Sequence, residues 1–178
     1  DIDFSKLDIR DEKALEKVSS GVDVIMHLAA VNGTDNFYTA PDLVLDVGIR
    51  GMLSVMNAVK KNGIPDLVVA SSAEVYQTPS KIPTDEDVAI QLPDTVNPRF
   101  SYAGSKIISE LIAFNYLRSE LNKMQVFRPH NVYGPDMGFK HVIPQVICRL
   151  LDSKSLNPHH AELNIPLLAL YIILLPVS

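Results

Sequence analysis

Short β-branched apolar runs alternate along this chain with longer stretches in which apolar residues return every three or four positions. Val22 to Leu28, Val-Asp-Val-Ile-Met-His-Leu, is a largely apolar run of the kind that forms a strand covered on both faces. Leu67 to Ala70 and Met124 to Arg128 read the same way. Between the first two, Val44, Val47, Gly51, Met52, Val55 and Val59 recur at helical spacing and fall on one helix face. Gly48 and Gly51 lie on or near that face, where the missing side chain leaves room for close helix-to-sheet approach. Asn62-Gly63, followed by Pro65, marks the stop. A second helix is expected from Tyr102 to Leu121, through Ile107, Ile108, Leu111, Ile112 and Leu117. Strands alternating with long helices predict the α/β class, a parallel sheet of right-handed βαβ units. Gln77 to Arg99 carries Pro79, Pro83, Pro93 and Pro98 with Thr84-Asp-Glu-Asp87, and reads as a long polar connection. Loops of that length are usually functional or mobile.

Composition narrows the class. A chain of 178 residues is long enough for one domain with a real core, and 47% hydrophobic with 21% charged residues excludes disorder over most of it. The formal net charge is −5 and the 16 basic residues are scattered, so neither nucleic acid nor an anionic membrane is an expected partner. One cysteine, Cys148, makes no internal disulfide and suggests a reducing compartment, the cytoplasm. Asp1 is not followed by the basic, apolar and small-residue sequence of a signal peptide, so secretion is not expected. Cys148, His159 and His160 lack ligand spacing, and no metal is expected. Asn164 to Ser178 has no charged residue, and Leu167 to Leu175 is nine consecutive apolar residues, short of the ~20 that span a bilayer. A segment foreign to the domain is the favoured reading of that tail, ahead of a buried element and of membrane association.

The candidate chemistry lies in an ordered series. Tyr102-Ala-Gly-Ser-Lys106 sets a phenol and an ammonium four residues apart, on one helix face. A lysine there can favour the phenolate and lower the tyrosine pKa, so that the phenol takes and returns a proton. The pair alone is a weak signal. About thirty residues earlier, Ser71-Ser-Ala-Glu-Val-Tyr76 follows an expected strand, at the carboxyl end where parallel sheets bind ligands. His27-Leu-Ala-Ala30 ends another strand with small residues against which a flat ring could lie.

Together with Arg128-Pro-His-Asn-Val-Tyr-Gly-Pro135, this series resembles the extended short-chain dehydrogenase/reductases, specifically the NAD-dependent epimerase/dehydratase family acting on nucleotide sugars. The resemblance runs from about Asp8 to Arg149 and implies a Rossmann-like doubly wound parallel sheet with NAD as cofactor. It implies that Ser72, Tyr102 and Lys106 are the catalytic set, and that Asp8 and Ile9 lie at the adenine. Leu28, Ala29 and Ala30 would line the pyrophosphate and nicotinamide ribose, with Lys106 on that ribose. Tyr102 and the backbone about His130 would border the nicotinamide. Asn131 would contact the substrate near its diphosphate, and Ser72 would hydrogen-bond the substrate oxygen. A homodimer is implied through the helices around 43–61 and 102–121.

Departures from the family shape the expectation further. The Gly-x-x-Gly-x-x-Gly turn with which members begin has no counterpart here; Gly48-Ile-Arg-Gly51 has half of its spacing, inside a helical pattern. The expectation is therefore a fragment, with residues 1–150 a partial NAD-binding domain, 151–178 an atypical tail, and NAD binding by the chain alone unexpected. Gly48 stands where many members have Asn. Glu74 matches a second acid/base of related dehydratases and decarboxylases, yet Ala73 replaces the partner aspartate of the 4,6-dehydratases. Losing one of two groups favours epimerisation through a 4-keto sugar over water elimination. A 4,6-dehydratase or uronate decarboxylase using Glu74, and a non-catalytic chain serving only as a dimerisation partner, are the alternatives.

Overall fold

The computed structural model describes residues 3–118, 120–134 and 141–152. Two compact units are present, one running to Pro129 and one beginning at His130. Three strands form the first unit's sheet: β1 (Val24–His27), β2 (Asp66–Ala70) and β3 (Lys123–Phe127), in the order β1-β2-β3 and parallel throughout. Val24 pairs with Asp66, and Asp66 with Lys123. Parallel neighbours require long crossovers. The first is built from α2 (Thr34–Thr39), α3 (Pro41–Leu45), a π turn over Asp46–Arg50 and α4 (Gly51–Asn62); the second contains α5 (Ser101–Tyr116). A short α1 (Glu12–Val18) precedes β1, and its N-cap Asp11 accepts the Ala14 N–H at 3.0 Å.

The α/β class and the three expected strands are present, each within two residues of its expected bounds. Alternation along the strands decides what is covered. Ile25, Leu67, Val69, Met124 and Val126 turn to one face, where they meet Met52, Val55, Met56 and Val59 of α4 and Ala113 of α5. The expectation that β1 is covered on both faces is corrected. Val24 and Met26, on the opposite face, are 46% and 62% exposed, and Leu28, next in that register, is exposed too. Both crossover helices lie against the other face.

Helix α4 stops as its sequence predicts. Gly63 takes the left-handed conformation at φ 62°, and the Ile64 N–H donates to the Val59 carbonyl at 3.0 Å, closing the helix end. Upstream, the single helix expected through Val44 to Val59 is interrupted by the π turn, whose extra residue rotates everything before it about the axis. Gly48, inside the turn, and Gly51, directly after it, face partners other than the sheet. A Cβ on Gly48 would stand 2.7 Å from the Ser105 Cβ of α5, and one on Gly51 2.8 Å from the Ile9 Cγ2. Close approach is real, but it is helix to helix and helix to the Ile9 side chain.

Helix α5 ends at Tyr116, short of the expected Leu121, although Leu117 is still buried in the core. The connection from Gln77 to Asn97 is irregular, as expected, and is anchored where the Gln91 N–H donates to the Val75 carbonyl at 3.0 Å. The second unit contributes α6 (Val142–Asp152). No helix of the described residues is long and apolar enough to cross a membrane. The apolar tail, including His159 and His160, lies outside the described residues.

Gly48 yields a direct test. Gly48→Ala should destabilise the chain by about 1–3 kcal/mol, the scale of overpacking at a tight contact, and Ser105→Gly in the same chain should restore much of the loss. Urea denaturation followed by circular dichroism measures both.

Candidate active site at the carboxyl ends of the strands

Beyond β2 the chain keeps its ladder for two further steps, with the Ser71 N–H donating to the Phe127 carbonyl at 2.8 Å and the Ala73 N–H to the Pro129 carbonyl at 3.1 Å. Ser72 sits between these two anchors. Its hydroxyl caps the short 3₁₀ turn Ala73–Val75 by accepting the Glu74 N–H at 3.2 Å. Ser72 is buried, as are Tyr102 and Lys106. A second 3₁₀ turn, Pro98–Phe100, opens α5 and places Tyr102 in its first turn.

The Tyr102 ring stacks on Phe37 of α2, centroids 5.3 Å apart and planes 17° apart. Val44 completes that cluster, and Ala30 and Val31 pack against it, which brings the end of the Leu28-Ala29-Ala30 stretch to the tyrosine. Lys106 Nζ lies 5.7 Å from the Tyr102 ring centre and donates to the Ala70 carbonyl at 2.6 Å. Ser72, Tyr102, Lys106 and Ala30 thus meet at one end of the sheet.

Electrostatics here are governed by burial. The Tyr102 phenol is pushed above its ordinary range by desolvation; hydrogen bonding with Ser72 opposes the shift, and the Glu74 carboxylate adds to it. This corrects the expectation that Lys106 lowers the tyrosine pKa: the ammonium is directed at the Ala70 carbonyl, and desolvation outweighs the help from Ser72. Burial also lowers Lys106 to about 8, against the opposing attraction of Glu110. His27, at the end of β1, is lowered to about 4 by burial and then by the charge of Lys106.

The remaining expected site residues have their own partners or chain positions. Asp8 receives Arg10 twice on Oδ1, from the backbone N and Nε at 2.9 Å, and once on Oδ2 from Nη2 at 2.6 Å. That bonding lowers Asp8 to about 2. Arg10 continues to Asp46 at 2.8 Å, so Asp8 and Ile9 lie against the π turn and the start of α4. Glu74 is paired with Arg99 at 3.2 Å. His130 and Asn131 open the second unit, in an irregular run ahead of α6. Among the described residues no group of three or more His, Cys, Asp or Glu is placed to hold a metal ion.

Sequence reading assigned no role to four contributors. Glu110 and Arg128 form a buried pair at 2.6 Å, joined by the hydroxyls of Ser71 and Tyr76. Two ionisable side chains, one on α5 and one directly after the apolar run of β3, were the available signal. Phe37 and Arg99 left none, because neither stands in a periodic series or a motif.

Parallel βαβ units with a serine, a tyrosine and a lysine gathered at the strands' carboxyl ends place the chain in the Rossmann-like α/β class. The chain belongs to the NAD dependent epimerase/dehydratase family, whose profile matches residues 1–165. It is 25% identical over 164 residues to dTDP-glucose 4,6-dehydratase from Streptomyces antibioticus, covering 92% of this chain and 47% of that protein. It is 31% identical over 158 residues to a putative UDP-glucose 4-epimerase from Methanocaldococcus jannaschii, covering 86% and 50%. Among solved structures, a double mutant of dTDP-glucose 4,6-dehydratase from Streptomyces venezuelae, with NAD bound, superposes with a TM-score of 0.68 at 28% identity, over 82% of this chain and 44% of that one. The chain spans about half the length of these relatives.

Burial of His27 sets a pH dependence. An unfolded histidine binds its proton below about 6.5, whereas the folded one waits until about 4. The folded state therefore loses stability as pH falls through that window, by about 2 kcal/mol between pH 7 and 5. Urea midpoints at the two pH values should show this loss, and it should be absent in His27→Asn.

Proposed function

We propose that this chain carries the catalytic centre of an NAD-dependent nucleotide-sugar epimerase acting through a 4-keto sugar. The observation that carries the reading is Tyr102, buried beside Ser72 at the carboxyl end of β2 with Lys106 against its ring. In this reading Tyr102 takes the proton of the sugar 4-hydroxyl and later returns it, while Ser72 hydrogen-bonds the same oxygen. Asn131 holds the substrate near its diphosphate.

The residues present fit the nicotinamide-ribose end of NAD. An ammonium has three donors, and the Ala70 carbonyl takes one from Lys106, leaving donors for ribose hydroxyls. Ala29 and Ala30 are small enough to lie along the cofactor, and the backbone about His130 borders the nicotinamide. Leu28 continues that wall, and Asp8 with Ile9 takes the adenine end. NAD, when bound, supplies the acceptor and donor of hydride at C4. The protein's own task is to keep the phenol buried, oriented by Ser72 and Phe37, and able to exchange its proton.

Epimerisation is preferred to dehydration or decarboxylation because Glu74 is committed to Arg99 and Ala73 offers no second acid. A water elimination requires one group for the C5 proton and another for the leaving hydroxyl. Association through the long helices belongs to the same reading. Leu43 and Leu45 of α3 and Ile108, Leu111 and Tyr116 of α5 are exposed apolar side chains beyond the sheet-facing stripe, and they support a homodimer of this chain.

Two measurements test these assignments. When the chain is joined to the glycine-rich βαβ unit of a relative, turnover of a nucleotide sugar is expected, and Tyr102→Phe should lower it by about 10²–10⁴. Undiminished activity would remove Tyr102 from the mechanism. Leu111→Glu should convert the dimer to a monomer in sedimentation, with the far-UV spectrum unchanged.

A further inference from the structure

Arg99 stands in the turn that opens α5, its backbone N–H bonded to the Asn97 side chain at 3.0 Å. The guanidinium makes two contacts of different kinds. Nη2 reaches Glu74 Oε1 at 3.2 Å, and Cζ lies 5.5 Å from the centre of the Phe37 ring. Phe37 is in turn the ring stacked on Tyr102. Nη1 is buried with no hydrogen-bond partner among the described residues, so no second acceptor draws on the charge. A buried, unpaired donor is costly, and its retention asks for a reason.

The groups around Tyr102 supply that reason. Glu74, from the turn after β2, disfavours the phenolate, and Lys106, from the same helix as Tyr102, lies against its ring. His27 of β1 feels the charge of Lys106, while α2 and α3 contribute the uncharged Phe37 and Val44. Glu110, also on α5, acts on Lys106, so Glu74 is the anion that acts on Tyr102, and Arg99 is the cation bonded to it. A cation over an aromatic face is held by the ring's quadrupole, so the same guanidinium also fixes the plane of Phe37.

We propose that Arg99 is a positioning residue for Tyr102, neutralising Glu74 and clamping the Phe37 ring against which the phenol lies. The proposal rests on Tyr102 being the acid/base of the site. It has a chemical corollary: Glu74 can serve as a proton carrier only if the pair with Arg99 opens, so Arg99 selects a reaction that needs the phenol alone.

The test is a titration of the chain itself. With tyrosine labelled by ¹³C at Cζ, the Tyr102 resonance is the one lost in Tyr102→Phe, and circular dichroism monitors folding at each pH. Arg99→Gln should shift the Tyr102 midpoint upward, because Glu74 is left unneutralised. Arg99→Gln combined with Glu74→Gln should bring it back, and Arg99→Lys should keep most of the wild-type position. An unchanged midpoint in Arg99→Gln, or a shift of the same size whether or not Glu74 is present, overturns the proposal. If Arg99→Gln does not fold, Glu74→Gln alone decides: a downward shift supports the coupling, and no shift overturns it. The readout needs no turnover. Full activity in Tyr102→Phe together with a Glu74-dependent midpoint would defeat only the catalytic reading of Tyr102.

Discussion

The buried ion pair between Glu110 and Arg128 joins the three segments on which the site is built. Arg128 Nε and Nη2 bond the two carboxylate oxygens at 2.8 and 2.6 Å, and the remaining groups of the network are the hydroxyls of Ser71 and Tyr76. Helix α5, the turn after β2 and the end of β3 therefore share one anchor. Both charges are more than nine-tenths buried, so removing either leaves the other without compensation, at a cost of about 3–5 kcal/mol. Such a pair adds little to stability relative to apolar residues of the same shape, but it tolerates only one arrangement of its partners.

That restriction reaches the site through short covalent distances. Ser72 is the next residue after Ser71, and Tyr76 closes the turn that begins at Ser72. On α5, Tyr102, Lys106 and Glu110 are spaced by four and lie along one stripe of the helix. The phenol, the ammonium and the anchoring carboxylate are thus set by the same helix orientation. Low dielectric then acts on all of them together. It disfavours charge on Tyr102, Lys106 and His27, and Glu110 offsets part of that penalty at Lys106.

Much of the fold was legible because its signals are local. The strands announce themselves as β-branched runs, and Asn62-Gly63 ends α4 where a left-handed residue is required. That Tyr102 and Lys106 share one face of α5 was legible because residues four apart on a helix are neighbours. What was missed is non-local. Arg99 meets Glu74 across 25 positions, and Arg128 meets Glu110 across 18, with nothing in either sequence neighbourhood to name the partner. The π turn was invisible because an inserted residue leaves the apolar period on either side intact. The direction of the Tyr102 shift was misread because a sequence supplies the neighbouring charge but not the depth of burial.

The uncovered face of β1 bears on how the polypeptide behaves in concentrated solution. Val24, Met26 and Leu28 form an apolar row, and among the described residues the outer edge of the same strand has no neighbour. A row of exposed apolar side chains on an edge strand is a template for pairing between molecules. Intermolecular collapse onto that row competes with productive folding as a second-order process, so the yield of native chain is governed by crowding of the nascent polypeptide as well as by its intrinsic stability.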